Sequence, residues 1–135
     1  MTIGTLCSGG RDGAALAARE QGMQVIWQCE NDKYRLSRLR QEFPEATQYD
    51  DVLTFLSHNP PTPDIIFISS PCQDISIANA TGAGVNGTKS KILYDCLHIA
   101  DVLRPTYFVL ENSPNILNRG LEGVLLYIAA LGAYE

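Results

Sequence analysis

A cysteine and a glutamate each come at the end of an apolar run, and together they could carry covalent chemistry. Cys72 follows Pro71 and the run 64–70, and Glu111 closes the run 107–111. The carboxyl ends of parallel strands meet at one edge of a sheet, so we expect a thiol nucleophile and a proton donor to face one crevice. The alternatives are a buried inert thiol and a carboxylate that caps the next helix. The presence of both groups at adjacent strand ends favours function.

A second constellation joins the glycine-containing turn 6–13 to Glu30, at the end of the second apolar strand. Glycines let a backbone approach a ligand closely, and a carboxylate at this position can accept hydrogen bonds from ribose hydroxyls. The turn lacks the GxGxxG spacing, so an adenosine without phosphates is favoured over a nicotinamide dinucleotide. A tight turn beside a solvated Glu30 is the alternative, and the residues alone leave both open.

Apolar periodicity, interrupted by Gly and Pro, predicts alternating strands and helices. The predicted strands are 2–7, 24–29, 46–49, 64–69 and 107–111. The predicted helices are 13–21, 33–43, a weak one over 52–57, 90–103 and a last one near 121–131. This alternation predicts an α/β, Rossmann-like sheet, mostly parallel, with helices on both faces. Residues 73–89 show no pattern and are predicted to form a long loop, whose functional interpretation is a mobile lid.

Composition indicates one globular domain and restricts its partners. The chain has 135 residues, 45% hydrophobic and 19% charged, with a formal net charge of −5. That charge argues against this segment alone gripping a phosphate backbone. The four cysteines form no CxxC pair, so neither zinc nor a disulfide is expected. No apolar stretch approaches the roughly 20 residues that span a bilayer, so we expect a soluble protein in a reducing compartment, cytoplasmic or, in a eukaryote, nuclear.

Taken in order, these residues resemble the cytosine-5 DNA methyltransferase family through nearly the whole chain. The resemblance rests on the glycine turn and on four further segments: Glu30-Asn31-Asp32, Asp51-Val52, Pro71-Cys72-Gln73 with Ser76, and Arg104-Pro105 followed by Glu111-Asn112. The Pro-Cys-Gln and Glu-Asn motifs at this separation are specific, whereas either alone would be weak.

The resemblance implies S-adenosylmethionine as the cofactor, S-adenosylhomocysteine as its product, and a flipped cytosine in DNA as the substrate, as in restriction-modification systems. Cys72 would attack carbon 6 of the cytosine while Glu111 engages N3 and the exocyclic amine, and carbon 5 would then take the methyl group. Glu30 is expected on the ribose hydroxyls and Asp51 on the adenine amine. The implied cofactor-binding residues are Cys7, Ser8, Gly9, Gly10, Glu30, Asn31, Asp51, Val52 and Pro71, and the implied substrate-binding residues are Gln73, Ser76 and Asn112. No metal is implied.

The chain also departs from the family pattern. Cys7 replaces the usual aromatic residue before the turn, Arg11 stands where glycine is expected, and Lys89 stands where arginine is common. Glu135 comes before the family's Gln-x-Arg-x-Arg motif and its target-recognition domain. We therefore expect residues 1–135 to be a partial catalytic domain, truncated after about strand five and inactive alone. It would contact DNA through missing segments or a complementary subunit, and its exposed sheet edge would favour a homodimer.

Other functions fit the same residues. A degenerate or split module could keep an adenosyl pocket or a partner surface without chemistry. An RNA cytosine-5 methyltransferase is a further alternative, because recognition of the polymer lies in residues that this chain lacks. An amino-methylating enzyme is disfavoured, because Ser70-Pro71-Cys72 replaces the Asp/Asn-Pro-Pro-aromatic tetrapeptide of those enzymes.

Overall fold

The computed structural model of the protein describes residues 1–71, 91–118 and 120–131. Its strands are β1 Thr2–Leu6, β2 Gln24–Cys29, β3 Thr47–Tyr49, β4 Ile65–Ser69 and β5 Tyr107–Glu111. They form one sheet in the order β3-β2-β1-β4-β5, and every neighbouring pair is parallel. The order reverses between β1 and β4, which is where open α/β sheets hold their ligands. The predicted Rossmann-like sheet is confirmed.

Helices cover the sheet on both faces. The helices are α1 Gly13–Glu20, α2 Lys33–Glu42, α3 Lys91–Leu103 and α4 Leu121–Ala130, with short 3-10 helices at Phe55–His58 and Pro114–Asn118. On one face α1 and α2 pack through Ala15, Ala18, Leu39 and Phe43. On the other face α3, α4 and both 3-10 helices surround a larger apolar cluster that includes Phe55, Leu93, Leu97, Ile116 and Val124. The two cores fix the strand ends that carry the polar residues.

Several predicted bounds differ from the structure by one residue, as at the end of β1, and two 3-10 helices replace or add to the predicted elements. Strand β1 stops at Leu6 rather than at Cys7, because Cys7 has a φ of 58° and leaves the extended conformation. The helix predicted over 52–57 is instead the 3-10 helix Phe55–His58, which ends where Asn59 adopts a φ of 49°. The 3-10 helix at Pro114–Asn118 was not expected. The predicted loop 73–89 lies outside the described residues.

Candidate cofactor and catalytic site

A cleft of about 1400 Å³ runs along the carboxyl ends of the strands. It is lined by residues that follow each of the five strands, as the parallel topology requires. The predicted site residues on this cleft are Cys7, Ser8, Gly9, Glu30, Asn31, Asp51, Val52, Pro71, Glu111 and Asn112. Gly10 instead borders a neighbouring groove with Arg11 and Arg38. Three further predicted residues lie outside the described part of the chain: Cys72, Gln73 and Ser76.

Glu30 anchors the cleft at the end of β2. Its side chain is buried, and its two carboxylate oxygens accept from different backbone amides: Oε2 from Gly9 at 2.7 Å and Oε1 from Asp32 at 2.9 Å. The carboxylate thereby connects the glycine turn to the start of α2. Each carboxylate oxygen has a second lone pair, so the group can still accept a hydrogen bond from a ligand hydroxyl.

Asp51 follows β3, the neighbour of β2, and also lines the cleft. Its Oδ1 accepts from the backbone N–H of Leu53 at 2.8 Å, which fixes the carboxylate in a turn. Asp50 lies beside it on the cleft wall. This wall therefore offers carboxylate acceptors, which suit the amino groups of a ligand better than its phosphates.

The ends of β4 and β5 are joined by hydroxyl and amide side chains. Ser69 and Glu111 are paired in the sheet register, and the Ser69 hydroxyl donates to Glu111 Oε2 at 2.8 Å. The Asn112 amide donates to the Ser70 hydroxyl at 3.0 Å. Glu111 is thus held over the end of β4, next to Pro71. Sequence reasoning missed both serines as site residues, although two hydroxyls closing the apolar run 65–68 were a usable signal.

The turn after β1 rests on a buried carboxylate that sequence reasoning also missed. Asp12 is 4% exposed and caps α1, accepting from the backbone N–H of Ala15 at 3.0 Å. Burial raises the pKa of Asp12, and hydrogen bonds from Thr5, Ala15, Gln28 and Ser8 partly offset that rise. An aspartate directly before an alanine-rich helix is a capping signal, but the sequence does not show that the carboxylate is buried.

Three cysteines lie close together beside the cleft. Cys7 and Cys29 line it, and the Cys7 sulfur lies 3.9 Å from that of buried Cys96. Burial, with smaller contributions from Cys7 and nearby carboxylates, raises the pKa of Cys29. The hydrogen bond with Cys7 and burial raise the pKa of Cys96 as well. Raised pKa values keep thiols protonated, so Cys29 and Cys96 are not activated as nucleophiles.

The described residues, 1–71, 91–118 and 120–131, contain neither a metal-binding cluster nor a membrane-spanning helix. Across these ranges no group of three or more His, Cys, Asp or Glu side chains is arranged to hold a metal ion. None of the helices in these ranges has the length and apolar character that a bilayer span requires.

Comparison with known proteins identifies a family. The model of the family described as "C-5 cytosine-specific DNA methylase" matches residues 1–131. The type II methyltransferase M2.ScrFI of Lactococcus lactis subsp. cremoris is 30% identical over 107 residues, covering 75% of this chain and 28% of that protein. M.NgoBV of Neisseria gonorrhoeae, another type II methyltransferase, is 28% identical over 140 residues, covering 94% of this chain and 33% of that protein.

Among solved structures, a prophage-encoded Escherichia coli protein described as a DNA modification methyltransferase has a similar fold. Its TM-score is 0.75 at 21% identity, and the match covers 97% of this chain and 37% of that one. The chain therefore spans about a third of the length of the relatives it matches.

Proposed function

Since the chain belongs to the C-5 cytosine-specific DNA methylase family, we propose that it is the part of a DNA (cytosine-5)-methyltransferase that binds S-adenosylmethionine and carries the nucleophile. One observation supports this most directly. Glu30, Asp51, Pro71 and Glu111 come from four different strand ends and line a single cleft at the switch point of the sheet. Pro71 immediately precedes Cys72 in the sequence.

The described residues fit an adenosyl ligand without phosphates. Glu30 offers acceptors for the ribose hydroxyls, and Asp51 offers one for the adenine amine. Ser8 and Gly9 bring backbone close to the place where the methionine portion would lie. When bound, S-adenosylmethionine would supply an electrophilic methyl group. The α1 N-terminus, which could otherwise attract a phosphate, is already capped by Asp12.

The proposed chemistry uses Cys72 and Glu111. The Cys72 thiolate adds to carbon 6 of a flipped cytosine, while Glu111 donates toward N3 as negative charge develops there. Carbon 5 then takes the methyl group, a base removes the proton from carbon 5, and elimination of Cys72 restores the aromatic ring. Ser69 holds the Glu111 carboxylate toward the end of β4, the strand after which Pro71 follows.

DNA is the proposed substrate, and most of its contacts would lie outside residues 1–135. Its net charge of −5 gives little attraction for a polyanion, and the relatives are about three times as long. We therefore propose that residues 1–135 do not bind DNA unaided and that most DNA contacts come from other residues, in the same polypeptide or in a partner.

The test is covalent trapping on DNA that contains 5-fluorocytosine, from which the final elimination cannot proceed. The chain is incubated with S-adenosylmethionine and with the C-terminal part of a type II relative supplied in trans. A stable protein–DNA adduct is expected for the natural chain and for Cys96→Ala, a matched thiol control, and none for Cys72→Ala. An adduct or methylation by Cys72→Ala would refute the assignment. Ligand binding without any adduct would favour a non-catalytic adenosyl-binding module, and an adduct on RNA alone would favour an RNA methyltransferase.

A further inference from the structure

A buried polar network lies under the turn that borders the cleft. Asp12 is at its centre: Oδ2 accepts from the Thr5 hydroxyl at 2.5 Å and from the Gln28 amide at 2.6 Å. Oδ1 accepts from Ala15 N–H. None of these partners is charged, and within the described residues Asp12 forms no ion pair. A buried carboxylate without a cation is costly unless its hydrogen bonds are kept, so the fold depends on this arrangement.

The network extends from the sheet to the cleft. Gln48 in β3 donates to Gln28 in β2 at 3.3 Å, and Gln28 donates to Asp12. Thr5 gives its only hydroxyl proton to Asp12, so its oxygen can only accept from the Ser8 hydroxyl, 2.7 Å away. The Ser8 hydroxyl also lies 3.2 Å from the Thr5 carbonyl and 3.3 Å from the Cys29 carbonyl, which share its single proton. Asp12 therefore contributes to the position of the Ser8 hydroxyl through Thr5, beside the two backbone carbonyls. Ser8 lines the cleft and precedes Gly9.

Two buried carboxylates thus hold the same short turn from opposite sides. Glu30 accepts from Gly9 N–H, and the Ser8 backbone N–H donates to the Cys29 carbonyl at 3.0 Å. Asp12 also places a negative charge at the amino end of α1, the position where Rossmann-type folds attract phosphate. A ligand phosphate at this turn would lose an amide partner and meet like charge.

From these contacts we infer that Asp12 is a specificity-determining positioning residue: it holds the turn at Ser8 and Gly9 for an adenosyl ligand without phosphates and disfavours nucleotides that carry a pyrophosphate. The inference rests on the proposed function in its choice of ligand. The network itself does not depend on that choice, because its hydrogen bonds lie within the chain.

The test compares Asp12→Asn with Asp32→Asn by calorimetric titration with S-adenosylhomocysteine and with ADP. Asparagine keeps an acceptor for Ala15 N–H but loses the charge and presents an NH₂ group toward donors. Asp32 is a matched control, because it caps α2 in the same way but is exposed. We expect Asp12→Asn to lower the affinity for S-adenosylhomocysteine about tenfold or more, because charge-assisted hydrogen bonds are lost. The ratio of ADP affinity to S-adenosylhomocysteine affinity should rise, and Asp32→Asn should leave that ratio unchanged.

Hydrogen exchange without ligand gives a second, independent readout. In Asp12→Asn the amide protons of Ser8 and Gly9 should exchange faster than in the natural chain, whereas the amide protons of β4 should keep their protection. Thr5→Val removes one hydrogen-bond donor to Asp12 and keeps the side-chain shape, so it should also speed exchange at Ser8 and Gly9. This variant replaces Asp12→Asn in the test if Asp12→Asn does not fold. Unchanged exchange at Ser8 and Gly9, or an equal fall in affinity for both ligands, would overturn the inference. If the natural chain bound neither ligand, the cofactor assignment would fail, and the exchange data would still decide the positioning role.

Discussion

Asp12 makes the stability of this chain depend on pH in a definable direction. Because burial raises the pKa of Asp12 in the folded state, that state binds more protons than the unfolded chain between the ordinary and the raised pKa. The free energy of unfolding should therefore fall as pH rises through this window. Asp12→Asn removes the titration, so its stability should fall less steeply over the same range.

Urea unfolding at a series of pH values from about 4 to 7 measures this difference. Asp32→Asn, which removes an exposed capping carboxylate, should follow the natural chain. Parallel curves for Asp12→Asn and the natural chain would show that the buried carboxylate does not titrate differently in the folded state.

The strands and most helices were predictable because their apolar patterns are local. Strands β2 and β5 have the predicted bounds, since their runs are bordered by polar residues and by a proline or a glycine. The end of β1 was not predictable, because it depends on the positive φ of Cys7. The 3-10 helix at Phe55–His58 forms around a fully buried Phe55, whose ring packs against Tyr49 at the end of β3 and against Trp27, which lies far away in sequence.

The site residues also differ in how far the sequence predicts their positions. Residues placed by topology, such as Glu30 and Glu111, were predictable because parallel strands end at one edge. The Ser69–Glu111 hydrogen bond was not predictable, because it depends on the register of β4 against β5. The role of Asp12 was also hidden, since it arises from Gln28 and Thr5 facing the same side of the sheet as the turn.

The pairing of β1 with β2 depends on close packing at Gly4. A Cβ atom added at Gly4 would lie 2.3 Å from the Trp27 indole ring. Trp27 cannot retreat easily, because it is fully buried, donates from Nε1 to the Pro61 carbonyl at 2.9 Å and packs edge-on against Phe55. We expect Gly4→Ala to lower the free energy of unfolding by about 1–3 kcal/mol, as overpacking does.

Chemical denaturation followed by tryptophan fluorescence measures this change. Gly13→Ala is the matched control, because nothing lies within 4 Å of a Cβ at Gly13 and alanine favours the start of α1. The control should be neutral or slightly more stable than the natural chain. Equal stability of Gly4→Ala and the natural chain would mean that the ring moves aside without loss.

On the molecule as a whole, the two faces of the sheet are unequally covered at β4 and β5. Phe108 and Leu110 pack into the core under α3 and α4. Their neighbours Tyr107 and Val109 point to the other face and are 59% and 44% exposed. That face continues into Ile65 and Phe67, which pack only partly against the α1 and α2 core. Strand β5 is also an edge, with β4 as its one neighbour among the described strands.

An exposed, apolar edge strand of a parallel sheet favours pairing with another chain. We propose that two copies associate through β5, related by a two-fold axis that sets the two strands antiparallel. Sedimentation velocity should show a dimeric fraction that increases with protein concentration. Val109→Lys should weaken this association about tenfold or more, because it places a charge on the edge. Tyr34→Lys, at a side chain that is 72% exposed on α2, should leave association unchanged. A natural chain that stays monomeric at about 100 μM, or equal losses in both variants, would contradict the dimer and assign the exposed β5 face to a different partner, such as residues outside 1–135.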